Sequence, residues 1–375
     1  MTYNDIHKTE VENIVLLSDV HIGARNASLE WLDNMKNYFT NFFIPYLKTV
    51  VQDNADKTAL IIAGDFFDHR QHIDINVLNV GLDIMIQLSS VVQTYIVIGN
   101  HDIYKKRDVD VNSLRVFQAL PNVKVIDTLT LLNVKSGVKF ALIPWIENHE
   151  EETNLLKELK TMSDYAIMHA DISGMIYDNG RAILNGADSK VYGKKIYSGH
   201  IHKRQEGKNV TYIGSPYQLK LSDIYNVKGV YTLHVNDDGT VKESFVENKY
   251  SPIFLKVAFA NILNKTLGEL KSMMHNNYVY IVIPKKVSKE LNKPVLMNAL
   301  EECGAKHLEI IIDKDKDNTV VQENAVSDMS INDIFLNKIN AMTDLGETER
   351  KDLINMNNMY MKQASEELSN AGVII

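Results

Sequence analysis

The stretch LIIAGDFFDH at residues 60–69 decides how this chain is read. Its short apolar run, 59–63, reads as a β-strand, and ligand-type residues follow the last strand position directly: Asp65, then Asp68 and His69. The same design recurs along the chain. LLSDVHIG (16–23) offers Asp19 and His21, and YIVIGNHD (95–102) offers Asn100, His101 and Asp102. YAIMHAD (165–171) offers His169, and IYSGHIH (196–202) offers His200 and His202. Apolar runs at 14–17, 59–63, 95–98, 140–143, 165–168, 196–197 and 210–213 alternate with helical patterns such as 28–46 and 75–88. That rhythm is the signature of an α/β layer fold. In such sheets the carboxyl ends of the strands form the ligand crevice, so these scattered residues are expected to converge.

The residue types suit a pair of divalent ions. Two ions ~3.5 to 4 Å apart need a bridging carboxylate, neutral imidazoles, and open positions for water and substrate. Asp and Asn oxygens with imidazole nitrogens match manganese, iron or zinc in a mixed site. Cys303 stands alone, which excludes an internal disulfide and any zinc cluster built on cysteines, and suits a reducing compartment. Asp19 and His21, like His200 and His202, are two positions apart, so in extended backbone each pair points to one side. Taken singly, each motif is more often structural than ligating, and an isolated His169 would usually be a core histidine. Five such segments in a workable order, each at a predicted strand end, point instead to a metal centre.

Size and composition bound the rest. A chain of 375 residues exceeds what one core usually serves, so a large and a smaller domain are expected. The 45% hydrophobic and 23% charged composition is that of an ordinary globular protein with no membrane-spanning stretch, and the charged N-terminus carries no secretory pattern. Cytoplasm is the expected compartment. The net charge of −8 argues against coating nucleic acid through bulk electrostatics. Local basic patches remain as candidate DNA contacts: Lys105, Lys106 and Arg107; Lys194, Lys195, Lys203 and Arg204; and Lys285, Lys286, Lys289 and Lys293. A second unit begins near Ser251-Pro252 with a β-α-β-α-β pattern through 312. A polar linker (314–328) and two amphipathic helix patterns (329–375) follow, to pack on the body or dock a partner.

The ordered set Asp19/His21, Gly64-Asp65 to Asp68, Gly99-Asn100-His101-Asp102, His169 and Gly199-His200 to His202 resembles the signature of the calcineurin-like metallophosphoesterase superfamily. Within it, SDVHIGARN (18–26), GDFFDHR (64–70), LIPWIE (142–147), and YSGHIHKRQ (197–205) followed by YIGSPYQL (212–219) are most similar to the SbcD-type DNA repair nucleases, in particular the nuclease subunits of bacteriophage recombination endonucleases. The resemblance implies a β-sandwich flanked by helices (α/β/β/α) over 1–250, a small α+β DNA-capping domain at 251–313 and a partner-docking helical pair at 329–375. It implies two manganese ions, one on Asp19, His21, Asp65 and His202, the other on Asp65, Asn100, His169 and His200. A hydroxide between them would attack the DNA phosphodiester, with His101 assisting the leaving 3′ oxygen and Asp68 orienting and charging His101. Some DNA nucleases of the family carry histidine where Asp68 stands, and His69 separates Asp68 from Arg70 where the phosphoprotein phosphatases have arginine directly. The implied activity is 3′ to 5′ exonuclease with single-strand endonuclease. The implied partners are DNA and an SbcC-type coiled-coil ATPase, the chain being a homodimer within a heterotetramer in the host cytoplasm. A phosphatase or phosphodiesterase for other substrates, and a scaffold that has lost the chemistry, are the competing expectations.

Overall fold

The structure is a computed structural model that describes residues 2–105, 108–289, 291–313, 339 and 346–370. The chain forms two compact units, Met1–Ser251 and Pro252–Ile375.

The first unit is built on two sheets. In chain order their strands are β1 (Asn4–His7), β2 (Asn13–Leu17), β3 (Thr58–Ala63), β4 (Gln93–Val97), then a small hairpin of β5 (Ile103–Lys105) and β6 (Asp108–Asn112). There follow β7 (Val123–Ile126), β8 (Thr130–Asn133), β9 (Lys139–Ile143), β10 (Tyr165–His169), β11 (Lys195–Gly199), β12 (Gln205–Glu206) and β13 (Val210–Tyr212). The last two are β14 (Gly229–Val235) and β15 (Val241–Glu247). One sheet is seven-stranded, in the order β1-β8-β9-β10-β11-β13-β12; the other is six-stranded, β15-β14-β2-β3-β4-β7.

Alternate residues of each strand point to opposite faces, so a strand buried on both sides reads as an unbroken apolar run. Ile14, Leu16, Ile61, Tyr95 and Val97 of one sheet pack with Phe140, Leu142, Ile167 and Tyr197 of the other in a single cluster between the sheets. The opposite face of the seven-stranded sheet, with Ala141, Ile143, Met168 and Ile196, is covered by Leu156 and Leu159 of the helix His149–Leu159. Helices Leu29–Tyr38 and Ile75–Val91 start on the side-chain caps of Ser28 and Asp74 and bury one face each, Trp31, Leu32 and Met35 in the first, Ile84, Met85 and Leu88 in the second. The architecture is the expected helix-flanked α/β sandwich.

One expected helix is interrupted. Over 28–46 the pattern predicts continuous α-helix, whereas Phe39–Phe43 forms a π-helical segment and α-helix resumes at Ile44–Val51 with a proline in its first turn. Pro45 lacks an N–H and its ring crowds the carbonyl four residues back, which the wider turn before it relieves.

Register brings the strand ends level. Leu16 pairs with Ile61 across β2 and β3, and Ala63 pairs with Val97 across β3 and β4. On the other sheet His169 pairs with Gly199 across β10 and β11. The residues that follow these positions therefore leave their sheets at neighbouring points.

The second unit holds a parallel sheet of β16 (Phe254–Ala258), β17 (Tyr278–Pro284) and β18 (His307–Asp313), in that order. Helix Leu267–Met274 opens on a Thr266/Glu269 capping box, and helix Lys293–Glu301 on Asn292. Leu270, Met274, Leu296 and Leu300 pack with Val279, Ile281 and Ile283 around the buried Cys303. The linker 314–328 lies outside the described residues, as do the first tail helix, apart from Ile339, and Lys106 and Arg107; helix Glu347–Asn370 is described.

Candidate metal centre

The end of β10 and the tight turns after β2, β3, β4 and β11 carry every residue of the sequence-derived ligand set, and the structure brings all of them together. The glycines preceding three of them mark where the turns abut. A Cβ on Gly64 would lie 2.3 Å from His169 Nδ1, one on Gly99 2.3 Å from Asp65 Oδ1, and one on Gly199 2.1 Å from Ser18 Oγ. No side chain fits, so the Gly-Asp, Gly-Asn and Gly-His pairs are steric requirements. Asp19, His21, Asp65 and His200 have φ of 53°, 49°, 53° and 88°, the left-handed region. Strain of this kind costs ~1 to 3 kcal/mol per residue and clusters where function demands a fixed geometry.

Three ligand atoms meet at one point. His169 Nε2 lies 2.9 Å from Asn100 Oδ1 and 3.2 Å from Asp65 Oδ2. Asn100 Oδ1 is also 2.8 Å from His200 Nδ1. On the other side of Asp65, His21 Nε2 is 3.6 Å from Asp65 Oδ2 and 4.0 Å from Asp19 Oδ1, and His202 Nε2 is 4.0 Å from the same Asp19 oxygen. Asp19 also ties the two sheets together by accepting the His200 N–H at 3.0 Å.

A divalent cation fits this set. His169 Nδ1 lies 2.8 Å from the Ala63 carbonyl and donates its proton there, so a neutral His169 turns only a lone pair toward two oxygens. Burial opposes a charge on the ring, yet Asp65 beside it prevails and pushes the pKa up to about 9. His21 Nε2 is buried with no hydrogen-bond partner among the described residues. Ligand atoms bound at ~2.0 to 2.2 Å stand roughly 3 Å apart from one another, which the 2.8 to 3.2 Å spacings around Asn100 and His169 match and the 3.6 to 4.0 Å spacings around Asp19 and His21 exceed. Two groups that could each hold an ion stand out, Asp19/His21/His202 and Asp65/His169/His200.

A third group, His21/Asp68/His101, overlaps the first and holds His101, expected to assist the leaving oxygen, and Asp68, expected to orient His101. His101 has its N–H on Asp65 Oδ1 at 2.8 Å and its Nδ1 2.5 Å from the Asp68 backbone carbonyl. The sequence reading gives the Asp68 carboxylate to His101. Its Oδ1 instead lies 3.0 Å from His21 Nδ1. Docking of this turn along the first explains the difference, since Asp68 N–H donates to Ile22 O at 3.0 Å. Burial lowers the His101 pKa, with Asp65 opposing.

Sequence reasoning gave no role to Asp102, Asp171, Asp178 or Trp145. The buried Asp102 carboxylate accepts the N–H groups of Asp65, Gly99, Phe66 and Phe67 at 2.9, 2.9, 3.1 and 3.4 Å. It thereby ties the second motif to the third. Asp171 Oδ1 lies 3.3 Å from His200 Nε2 and Asp178 Oδ2 lies 3.6 Å from His202 Nδ1, carboxylates behind ligand imidazoles of the kind that fix ring orientation. The Trp145 ring tilts over His200 at 5.0 Å and meets His169 edge-on at 6.0 Å. A signal existed for three of these, Asp102 in YIVIGNHD, Asp171 in YAIMHAD and Trp145 in LIPWIE. Of the basic patches, Lys194, Lys195 and Arg204 are engaged by Asp164, Glu243 and Glu206 at 3.6, 3.5 and 2.9 Å.

Comparison with known proteins agrees with this geometry. The chain is 26% identical over 370 residues to "Exonuclease subunit 1" of Enterobacteria phage T4, covering 94% of this chain and 99% of the relative. It is 24% identical over 283 residues to "Putative phosphoesterase 078R" of Invertebrate iridescent virus 3, covering 72% of this chain and 74% of the relative. A solved 5′-nucleotidase from Candida albicans SC5314 aligns with 66% of this chain and 52% of its own at 16% identity and a TM-score of 0.31, too loose to add anything. Among the described residues no helix is long and apolar enough to cross a membrane. Residues 12–204, more than half of the chain and all of the ligand turns, match the calcineurin-like phosphoesterase model, so this chain belongs to that family and is a metal-dependent phosphoesterase.

Proposed function

We propose that this chain is the nuclease subunit of a DNA recombination and repair assembly, acting as a 3′ to 5′ exonuclease on duplex ends and as an endonuclease on single strands. The observation that carries the reading is the convergence of Asp65 Oδ2, Asn100 Oδ1 and His169 Nε2, ringed by Asp19, His21, His200 and His202. The choice of nuclease draws on the phage T4 exonuclease subunit, which is similar over nearly the whole chain, including the second unit.

Asp19, His21, Asp65 and His202 would hold one ion and Asp65, Asn100, His169 and His200 the other, Asp65 being shared. Donors of oxygen and imidazole without thiolate suit manganese. When bound, such a pair supplies the acidity that makes water a nucleophile and the positive charge that the phosphoryl oxygens need. The chain's own residues orient and protonate. His101 donates its Nδ1 proton to the Asp68 carbonyl, so Nε2 is the ring atom that would take up a second proton and, as imidazolium, pass it to the leaving 3′ oxygen. Such transfer typically contributes ~10² to 10⁴-fold. Asp68 braces His21 with its carboxylate and His101 with its carbonyl. An SbcC-type ATPase docked by 329–375, a homodimer within a heterotetramer, and the host cytoplasm complete the proposal.

The competing reading, a phosphodiesterase for other substrates, draws on the net charge of −8 and on the acidic partners of Lys194, Lys195 and Arg204. Parallel assays with manganese separate the two. A nuclease shortens linear duplex DNA from its 3′ ends; a general phosphodiesterase turns over bis(p-nitrophenyl) phosphate and leaves the DNA intact. Deleting 329–375 is expected to abolish co-purification with the ATPase, and unchanged co-purification would remove the docking role.

A further inference from the structure

The segment from Tyr212 to Lys228 contributes no candidate ligand, yet its polar side chains end on main-chain groups beside three of the ligand turns. Tyr217 Oη donates to the Val20 carbonyl at 2.7 Å, between Asp19 and His21. Tyr212 Oη donates to the Ala170 carbonyl at 2.8 Å, next to His169, and accepts the Ile172 N–H at 2.9 Å. Lys228 Nζ donates to the His202 carbonyl at 2.6 Å. We propose that Tyr212, Tyr217 and Lys228 are positioning residues that hold the metal-ligand turns from outside; this rests on the reading that those turns bind divalent cations.

Strain is the first reason. Asp19 and His21 both sit at positive φ, and such backbone persists only when its surroundings over-determine it. Asp19 N–H donates to Gly64 O at 3.1 Å and His21 N–H to Asp65 O at 3.0 Å. The Tyr217 hydroxyl fixes the Val20 carbonyl between them. Its ring is itself held edge-on against Tyr38 at 5.1 Å, so the hydroxyl is delivered from a packed position.

The chemistry of Lys228 is the second. Only 5% of this residue is exposed, and its three protons go to His202 O, to Ser215 Oγ at 2.9 Å and to Asp223 Oδ1 at 3.2 Å. Asp223 Oδ2 in turn accepts the Leu219 and Lys220 N–H groups at 2.8 and 3.1 Å. A well-packed apolar pair of this size would usually stabilise the fold at least as well as a buried ion pair, so stability alone does not account for the lysine. Close approach is the third. A Cβ on Gly214 would lie 2.9 Å from His202 O and 2.8 Å from Arg204 N, so the segment touches the ligand turn backbone to backbone.

Calorimetric titration of the full chain with manganese tests the proposal. Partners one step behind a ligand typically change metal affinity ~10 to 100-fold when removed. Tyr217→Phe, Tyr212→Phe and Lys228→Met are each expected to weaken manganese binding by ~10-fold or more, while both tyrosine variants remain folded at the titration temperature. Tyr192→Phe is the control, since its buried hydroxyl meets Ser163 Oγ at 3.0 Å and no ligand turn; its affinity is expected to be unchanged. If Lys228→Met fails to fold, the tyrosine variants decide. Tight binding by wild type with the same affinity in both tyrosine variants overturns the positioning roles and leaves the metal centre standing. Binding by wild type that is no tighter than that of Asp65→Asn overturns both.

Discussion

His169 Nε2 and Asn100 Oδ1 face each other at 2.9 Å, with Asp65 Oδ2 3.2 Å from the same nitrogen and Nδ1 directed at the Ala63 carbonyl. Beside Asp65 the metal-free ring is held protonated, its pKa pushed up to about 9, and a divalent cation would displace that proton and take the same donor atoms. Manganese is therefore expected to raise the unfolding temperature, by the equivalent of about 2.7 kcal/mol at a hundredfold excess over Kd. In Asn100→Ala that gain should fall sharply. Differential scanning calorimetry with and without chelator reads it, and an equal shift in both proteins would remove Asn100 from the site.

Asp102 sits under the centre as an acceptor for four backbone N–H groups, two on each carboxylate oxygen. In Asp102→Asn either orientation of the amide sets an NH2 against two of these donors. Buried donors left unsatisfied cost ~1 to 3 kcal/mol each. Urea unfolding of Asp102→Asn should show a loss of at least ~2 kcal/mol, together with weaker metal binding because the Asp65 and Gly99 turns come apart.

Gly199 lies where a methyl group would stand 2.1 Å from Ser18 Oγ and 2.3 Å from Ala63 O. Removing the hydroxyl relieves only the first clash, because the second is with backbone. Gly199→Ala should therefore be strongly destabilised or insoluble, and Ser18→Ala/Gly199→Ala should not recover. Soluble expression and thermal melts of the pair decide the point.

Glu152 is buried beside His149, with Oε2 3.5 Å from His149 Nδ1, and burial pushes its pKa up to about 7 from an ordinary 4.5. A group raised in the folded state stabilises fully below its unfolded pKa and loses that contribution as pH rises through the folded value. His149, raised by its bond to Glu152, works in the same direction. Wild-type stability should thus decline between pH ~4.5 and ~7 by up to about 3 kcal/mol from Glu152. Glu152→Gln should flatten that decline and exceed wild type above pH 7. Parallel curves for the two proteins would contradict it.

The ligand turns were legible because each follows a strand buried on both faces, whose apolar run marks its own end, as 59–63 does before Asp65. What the runs could not reveal is which sheet a strand joins: β2 and β10 look alike and lie in different sheets, so the sandwich came from resemblance, not from periodicity. Strands β14 and β15 lacked a continuous run. GVYTLHV and VKESFVE mix polar and apolar residues, and β15 is a half-exposed edge. Asp102 was visible as a residue but not as a role, since gathering four N–H groups depends on two turns meeting. The same holds for the Asp68 carboxylate, whose partner is set by how its turn docks on Ile22.

Cleavage of end-labelled duplex DNA by the purified chain in manganese, comparing wild type with His101→Ala, tests the central claim most directly. Wild type is expected to release nucleotides only with metal and His101→Ala to do so ~10² to 10⁴-fold more slowly, with manganese still bound by the variant. Equal rates in the two proteins, or no metal-dependent cleavage in either, would contradict it.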